Sequence, residues 1–338
     1  MPSVVRQGDT VQVYVSGAWL PERSELRHAL SGASRVIHER LPGSPVSEAT
    51  PVSGAFSFVA RERGPHVVRL TAGDSVKEIP LRVVSRVLRV LYVEHPPRYE
   101  YRFLKNALLR DPDILCHCFL TSADEGFPQE HTRSSGDPLF NQPLQEFPRD
   151  LKSLLEFDVL IFGDVDPGRL GPEAARNIRT FVTEFGGGIL FISGMMNNPR
   201  CFKGGAMADL LPIVPGAPQG DSEGAASMLT YRLTDAGRAS TVLRFGEGAD
   251  ARKPWESGEL PAARWLHRVG SVKPGARVLV EAAGGSVGPL FVAWECGRGR
   301  AFWSATDETW LWRYLVGDSP YFYPFWRGAI EWAAGLKG

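Results

Sequence analysis

A chain of 338 residues with 43% hydrophobic and 22% charged residues is long enough for two ordinary globular domains. Lys plus Arg balances Asp plus Glu at 38 each, which excludes a global basic field for nucleic acid and an acidic tail. No apolar run reaches the roughly 18 residues of a membrane helix, and residues 1–6 lack the charged start and apolar block of a signal peptide. The expectation is a soluble chain, cytoplasmic or a soluble part of a membrane-associated assembly.

Four cysteines in this length do not make a disulfide scaffold. Cys116 and Cys118, two apart in an expected strand, leave the same face and read as buried, reduced thiols. Cys201 and Cys296 stand alone.

From residue 7 to about residue 86 the apolar residues come in short, partly alternating runs: Val11, Val13 and Val15; Val36-Ile37; Phe56 and Phe58; Val67, Val68 and Leu70; Ile79, Leu81 and Val83. Turn residues separate them at Ser16-Gly17, at 41–45, at Gly64-Pro65 and at Ala72-Gly73-Asp74. Period two with frequent turns predicts an antiparallel, immunoglobulin-like sandwich over residues 1–86. The pattern changes at residues 83–86, where the domain boundary is expected.

Residues 87–94 read as a strand, followed by a helix opened by Pro96-Pro97. Tyr101, Leu104, Ala107 and Leu108 form its apolar stripe, and Arg98, Arg102 and Lys105 lie to the wetter side. Residues 114–120 are a second strand and 121–148 a long polar surface segment. Residues 157–163 make a third strand. A helix follows with Pro172 near its start, Ile178, Phe181, Val182 and Phe185 on one stripe, and Gly186 as its stop. The central strand, Gly188 to Ile192, ends in the corner Ser193-Gly194-Met195-Met196-Asn197-Asn198. Beyond Pro212 the pattern weakens, with a strand at 228–233 and loops at 215–224 and 246–261. Strands return at 277–281, 289–294 and 300–306, the last two joined by a Gly297-x-Gly299 turn. A final helix from about Pro320 carries Phe322, Phe325, Trp326, Ala329, Ile330 and Ala333 on one stripe. Strands alternating with helices predict a mostly parallel α/β sheet covered on both faces, whose sites lie outside the carboxyl ends of the strands.

Several phrases together, Val90-Leu91-Tyr92-Val93-Glu94, Pro97-Arg98-Tyr99-Glu100-Tyr101-Arg102, Phe162-Gly163-Asp164-Val165-Asp166-Pro167, Gly186-Gly187-Gly188-Ile189-Leu190, Asp209-Leu210-Leu211-Pro212 and Asp307-Glu308-Thr309-Trp310, resemble the class I glutamine amidotransferase-like domain of large bacterial proteins. That resemblance covers residues 87–338. It implies a flavodoxin-like sheet, a Cys-His-Glu triad in active relatives, and partners among von Willebrand factor A and AAA-ATPase systems or further copies of the chain. The chemistry needs a thiolate on the corner after the central strand, a histidine, a carboxylate and oxyanion donors. Here the corner carries Ser193-Gly194-Met195, the last strand runs into Thr306-Asp307-Glu308, and no histidine follows His267. The third strand ends in a single Gly163 before Asp164, where active relatives have paired glycines.

Topology gathers Glu94, His95, Gly163, Asp164, Asp166, Ser193, Gly194, Met195, Asn197, Asp307 and Glu308 on one sheet edge. The carboxylates read as a solvated rim whose aspartates cap the following helices, with a divalent-cation site of Asp164, Asp166, Asp307 and Glu308 as the alternative. Ser193 lacks the first glycine of a G-x-S-x-G elbow, since Phe191 stands there. Cys201 as a displaced nucleophile needs a histidine such as His95 or His117. Arg102 and Arg313 are placed to pair with Glu100 or Glu308. The C-terminal aromatics from Trp303 to Trp332 read as core, with a sugar or partner platform as the alternative. The expectation is a catalytically silent module acting in protein binding or assembly, without a cofactor. The alternatives are a hydrolase or amidotransferase using Cys201 or a metal, and a carbohydrate-binding domain with an open aromatic pocket.

Overall fold

In the computed structural model the described residues are 4–7, 9–17, 23–28, 34–39, 52–60, 64–72, 75–84, 87–134, 136–202, 204–216, 229–283, 288–317 and 320–336. The expected turns at 41–45 and Gly73-Asp74, the boundary residues 85 and 86, Met228 and the loop at 217–224 lie outside them. The chain divides into two compact units, Met1–Arg86 and Val87–Gly338.

The first unit is all-β. Strands Val4–Arg6, Ser75–Val84, Gly64–Ala72, Arg23–His28 and Ser34–Glu39 form one sheet in that order, and Thr10–Gly17 pairs with Val52–Val59 in a second ladder. The pairing is antiparallel except between Val4–Arg6 and Ser75–Val84, which run parallel and correct the all-antiparallel reading. Leu81 and Val83 alternate into a small core with Val5, Val11, Ala60 and Val68, as the period-two pattern requires.

The second unit is built on an eight-stranded mixed sheet. Its strands and principal helices are β1 (Leu88–Glu94), α1 (Tyr99–Leu108), β2 (Ile114–Leu120), β3 (Val159–Phe162), α2 (Pro172–Thr183), β4 (Gly188–Ile192), β5 (Thr230–Leu233), β6 (Arg277–Ala283), β7 (Gly288–Cys296), β8 (Gly299–Ser304), α3 (Trp310–Tyr314) and α4 (Phe322–Ala333). Their order across the sheet is β5-β6-β7-β8-β4-β3-β1-β2. The five strands from β8 to β2 run parallel, and β5, β6 and β7 extend the sheet antiparallel. Glu94 therefore ends, and Gly163, Ser193 and Thr306 follow, neighbouring, like-directed strands.

The sheet is buried on both faces, which is why β3 and β4 read as unbroken apolar runs. Tyr101, Leu104 and Leu108 of α1, Ile178, Phe181 and Val182 of α2, and the whole predicted stripe of α4 are buried in one continuous core. Gly186, at φ +74°, ends α2's run, and Gly297, at φ +63°, turns β7 into β8.

Two segments depart from the sequence reading. The polar stretch after β2 is not simply laid over the surface: Cys118 N donates to Glu130 O (2.8 Å) and Thr132 N to Cys116 O (2.9 Å), while Phe140 is buried on His117. The segment thus covers the edge strand that a parallel sheet would otherwise leave open. The expected loop at 246–261 contains the short helix Lys253–Glu256, whose Trp255 is buried and donates from Nε1 to Leu243 O (2.9 Å). A single aromatic in a polar stretch has no period to betray it.

Candidate functional site

The ends of the parallel strands are organised by Arg98, the residue before the first turn of α1. Its Nη2 donates to Glu94 Oε2 (2.9 Å), and its Nη1 donates to Asp307 Oδ2 (2.6 Å) and to the Ser193 carbonyl (2.8 Å). One guanidinium thus ties β1, β4 and the turn after β8. The other carboxylate oxygen of Glu94 accepts from Asp164 N (2.6 Å) and His95 N (3.1 Å). Burial pushes the Glu94 carboxyl up from its ordinary range, and Arg98 pulls against that shift. Burial alone would lower the Arg98 guanidinium, but Glu94 and Asp307 raise it and keep it charged.

Asp164, after β3, is equally committed. Its Oδ1 accepts from Asn197 N (2.6 Å) and Asn198 N (2.8 Å), and its Oδ2 from Met196 N (2.9 Å). The corner after the central strand is wrapped around this one carboxylate. Asn198 closes it from beneath, donating to Gly163 O (2.9 Å) and to Phe162 O and Ile192 O (3.2 Å each). The glycines here serve close approach: a Cβ on Gly163 would overlap the Glu94 carboxylate, and one on Gly194 the Asp164 carboxylate.

Two further buried acids hold the segment after β8. Glu308 accepts from Arg264 N, from Arg264 Nε (2.8 Å) and from Trp265 N (3.2 Å). Glu100 accepts from Thr309 Oγ1, from Trp326 Nε1 (2.9 Å) and from Trp310 N (2.9 Å). Burial pushes the Glu100 carboxyl up to about 7, against those three donors.

Above this layer lies a cleft of about 810 Å³ lined by Pro96, Pro97, Tyr99, Tyr101, Arg102, Lys105, Met195, Met196, Arg264, Trp265 and Trp310, with Arg98, Asp164, Asp307 and Glu308 at its base. One wall is aromatic: Tyr99 stacks on Trp310 at 4.8 Å, Phe103 at 6.0 Å, and Tyr314 meets Trp310 edge-on at 5.6 Å. Thus Trp310 and Tyr314 leave the core reading given to the C-terminal aromatics, whereas Trp303, Trp312 and Trp326 are fully buried.

The sequence candidates fall out as follows. The solvated rim is corrected, since Glu94, Asp164 and Glu308 are buried with their oxygens bound by arginines and backbone N–H groups. Only Asp166 caps as expected, accepting from Gly168 N (2.9 Å) at the turn Pro167–Arg169. Among the described residues no His, Cys, Asp and Glu groups gather to hold a metal ion. Cys201 is exposed, with its Sγ directed at Asn197 Oδ1 (3.7 Å). His95 Nδ1 pairs with Thr121 Oγ1 (3.0 Å), and His117 Nε2 with Leu139 O (2.9 Å). Ser193 Oγ is buried without a hydrogen-bond partner among the described residues, and so is Nε2 of His267, whose main-chain N donates to Ala305 O (2.6 Å). The two are therefore not bonded to each other. Burial lowers His267, and its Nδ1–H donates to Arg268 O at 2.9 Å.

The acids expected to anchor α1 and the turn after β8 are right and the cations are wrong. Arg313 bonds Gly317 O, and Arg102 is exposed with no ion-pair partner among the described residues. Glu308 is paired with Arg264, in a stretch without a periodic pattern, Glu100 is held by Thr309, Trp310 and Trp326 with no cation, and Arg98, read as solvent-facing, binds Glu94 and Asp307. The signal for Arg98 was its position, immediately before a helix and four residues after a strand-terminal glutamate.

No family model matches the chain, and neither does any curated protein. Among solved structures it is similar to the exo-beta-1,4-mannosidase Op5Man5 from Opitutaceae bacterium strain TAV5, at a TM-score of 0.36 and 13% identity, over 74% of this chain and 36% of that one. The expected class I glutamine amidotransferase-like identity is therefore corrected. The phrases that carried it are strands, glycine stops and turn residues, which any parallel α/β unit uses for its own packing.

Proposed function

We propose that the second unit is a non-catalytic binding or assembly module whose ligand sits in the strand-end cleft. The observation that supports this most is how the cleft's acids are used: Asp164 and Glu94, the most central pair, are buried and each accepts three hydrogen bonds from within the chain, of the about four a carboxylate can take. A general acid, base or metal ligand needs a lone pair or proton to offer. Cys201, the alternative nucleophile, is directed at an amide oxygen that cannot take its proton. In this reading the winding is flavodoxin-like, supported by the parallel order β2-β1-β3-β4-β8, and the two ladders of residues 4–84 belong to an immunoglobulin-like domain. No helix among the described residues is long and apolar enough to cross a membrane.

A carbohydrate ligand is the second reading, favoured by the stacked Tyr99–Trp310 wall. Methionine methyl groups offer the test, because Met195 and Met196 line the cleft and the sequence has only five methionines. Methyl-13C-labelled protein is titrated with soluble sugars, organic anions and short peptides. The expected result is saturable shifts of the Met195 and Met196 signals by one class, recovered unaltered. Chemical conversion of the ligand, or shifts confined to other methionines, would overturn the reading.

A further inference from the structure

Exposed apolar side chains are unevenly distributed. Among the described residues eight large ones are exposed, and six of them, Tyr99, Met195, Met196, Tyr314, Leu315 and Val316, lie in the cleft, at the end of the helix that walls it or in the two residues after that helix. Tyr99 and the two methionines line the cleft itself. Tyr314 continues the wall through its ring contact with Trp310, and Leu315 and Val316 follow it in the chain. Three of the six lie outside the cleft lining, so the apolar surface outruns a small-molecule pocket. Its composition of Tyr, Trp, Met and Arg is that of the central part of a protein interface, and contiguous apolar patches on soluble domains mark interaction sites. Unbranched methionines adapt to varied partners.

The accessible charge of the same surface is positive although its formal charges nearly balance. Where Arg264 meets Glu308, the arginine side chain is 52% exposed and the glutamate 8%. Glu94 and Asp164 are buried, and Asp307 is held by Arg98. Arg102, exposed and without an ion-pair partner among the described residues, stands one turn beyond Arg98 on the cleft side of α1. At Arg102 and Arg264 an approaching partner meets guanidinium groups before carboxylates, whereas at Lys105 the paired Glu130 is the more exposed charge.

We infer that the cleft and its rim receive an acidic segment of a partner protein, with aliphatic or aromatic anchors set against Met195, Met196, Tyr99 and Trp310 and a carboxylate answering Arg102 and Arg264. The inference rests on the cleft being the binding site proposed above. Guanidinium groups suit carboxylates because their planar donors can engage both oxygens. Burial of the methionine and aromatic surface supplies affinity, and the cations supply selectivity and association rate.

The test selects a randomised dodecapeptide display library on the full chain, after depletion on Met195→Ser/Met196→Ser. Both methionines are exposed, so that variant keeps the fold, which its circular dichroism checks. The expected outcome is a consensus enriched in Asp or Glu beside Leu, Met, Phe or Trp. A fluorescent peptide of that consensus should bind in anisotropy titrations, lose at least tenfold in affinity to Arg102→Glu, and lose as much when its acids are replaced by Lys. Selection of neutral or basic sequences, or equal binding to the double methionine variant, would overturn the inference. So would self-association of the chain that Met195→Ser/Met196→Ser abolishes, which would make the occupant a second copy. If peptides fail while sugars or small anions shift the Met195 and Met196 methyl signals, this inference falls and the cleft remains the binding site. Failure of every class removes both.

Discussion

Arg98 and Glu94 stand four residues apart, on opposite sides of the turn from β1 into α1, and their 2.9 Å ion pair is buried at the glutamate end. The pair fixes where α1 starts relative to the sheet, and through Arg98's other contacts it fixes Ser193 and Asp307 as well. A buried ion pair gives little net stability against an apolar substitute, but removal of one partner leaves the other charge uncompensated.

Space around the acids is as specific as their bonding. Gly163→Ala and Gly194→Ala each press a methyl group into a carboxylate that cannot move without breaking backbone hydrogen bonds. Each should cost about 1–3 kcal/mol in urea unfolding, the range for overpacking. Gly136→Ala, with nothing within 4 Å of the added carbon, should stay within about 0.5 kcal/mol of the parent.

Glu100 makes stability pH-dependent. Its folded value of about 7 lies above the ordinary 4.5, so the folded state holds the proton more tightly than the unfolded chain. The stability is fully present below about pH 4.5 and is lost as pH rises through 7, by about 3 kcal/mol from this group. Burial lowers His117 to about 4 and lowers His267 too, which shifts stability the opposite way between pH 5 and pH 8, so the readout is a difference: from pH 5 to pH 8 the parent should lose about 2–3 kcal/mol relative to Glu100→Gln. An unchanged slope in the variant would contradict the assignment.

The cysteines should separate cleanly by reactivity. Cys201 is exposed, whereas Cys116, Cys118 and Cys296 are buried and free, and burial raises the Cys116 thiol and pushes Cys296 up to about 11. A thiol reagent should titrate one equivalent in native protein and the remaining three only with denaturant. Cys201→Ala should abolish the fast phase and leave the unfolding midpoint in place.

What the sequence disclosed and what it hid follow from one distinction. Ile189 to Ile192, Leu160 to Phe162 and the α4 stripe are local patterns whose period states their burial, so the strands, helices and the shared edge were legible. Glu100 and Glu308 are buried acids whose partners lie far along the chain, up to 226 positions away for Glu100 and Trp326 and 44 for Glu308 and Arg264. Charge in a sequence reads as solvent exposure unless its counter-charge is nearby. The family resemblance failed for a related reason: glycine stops and turn phrases report the demands of the sheet and not ancestry.

The strand-end acids are structural, and the most direct measurement of that role is the unfolding free energy of Arg98→Met beside that of Arg98→Met/Glu94→Gln. The single change should cost about 3–5 kcal/mol by leaving Glu94 charged and buried, and the double change should recover a large part of it. A single variant as stable as the parent would mean that Glu94 does not depend on Arg98, and that the acids beneath the cleft are free for chemistry after all.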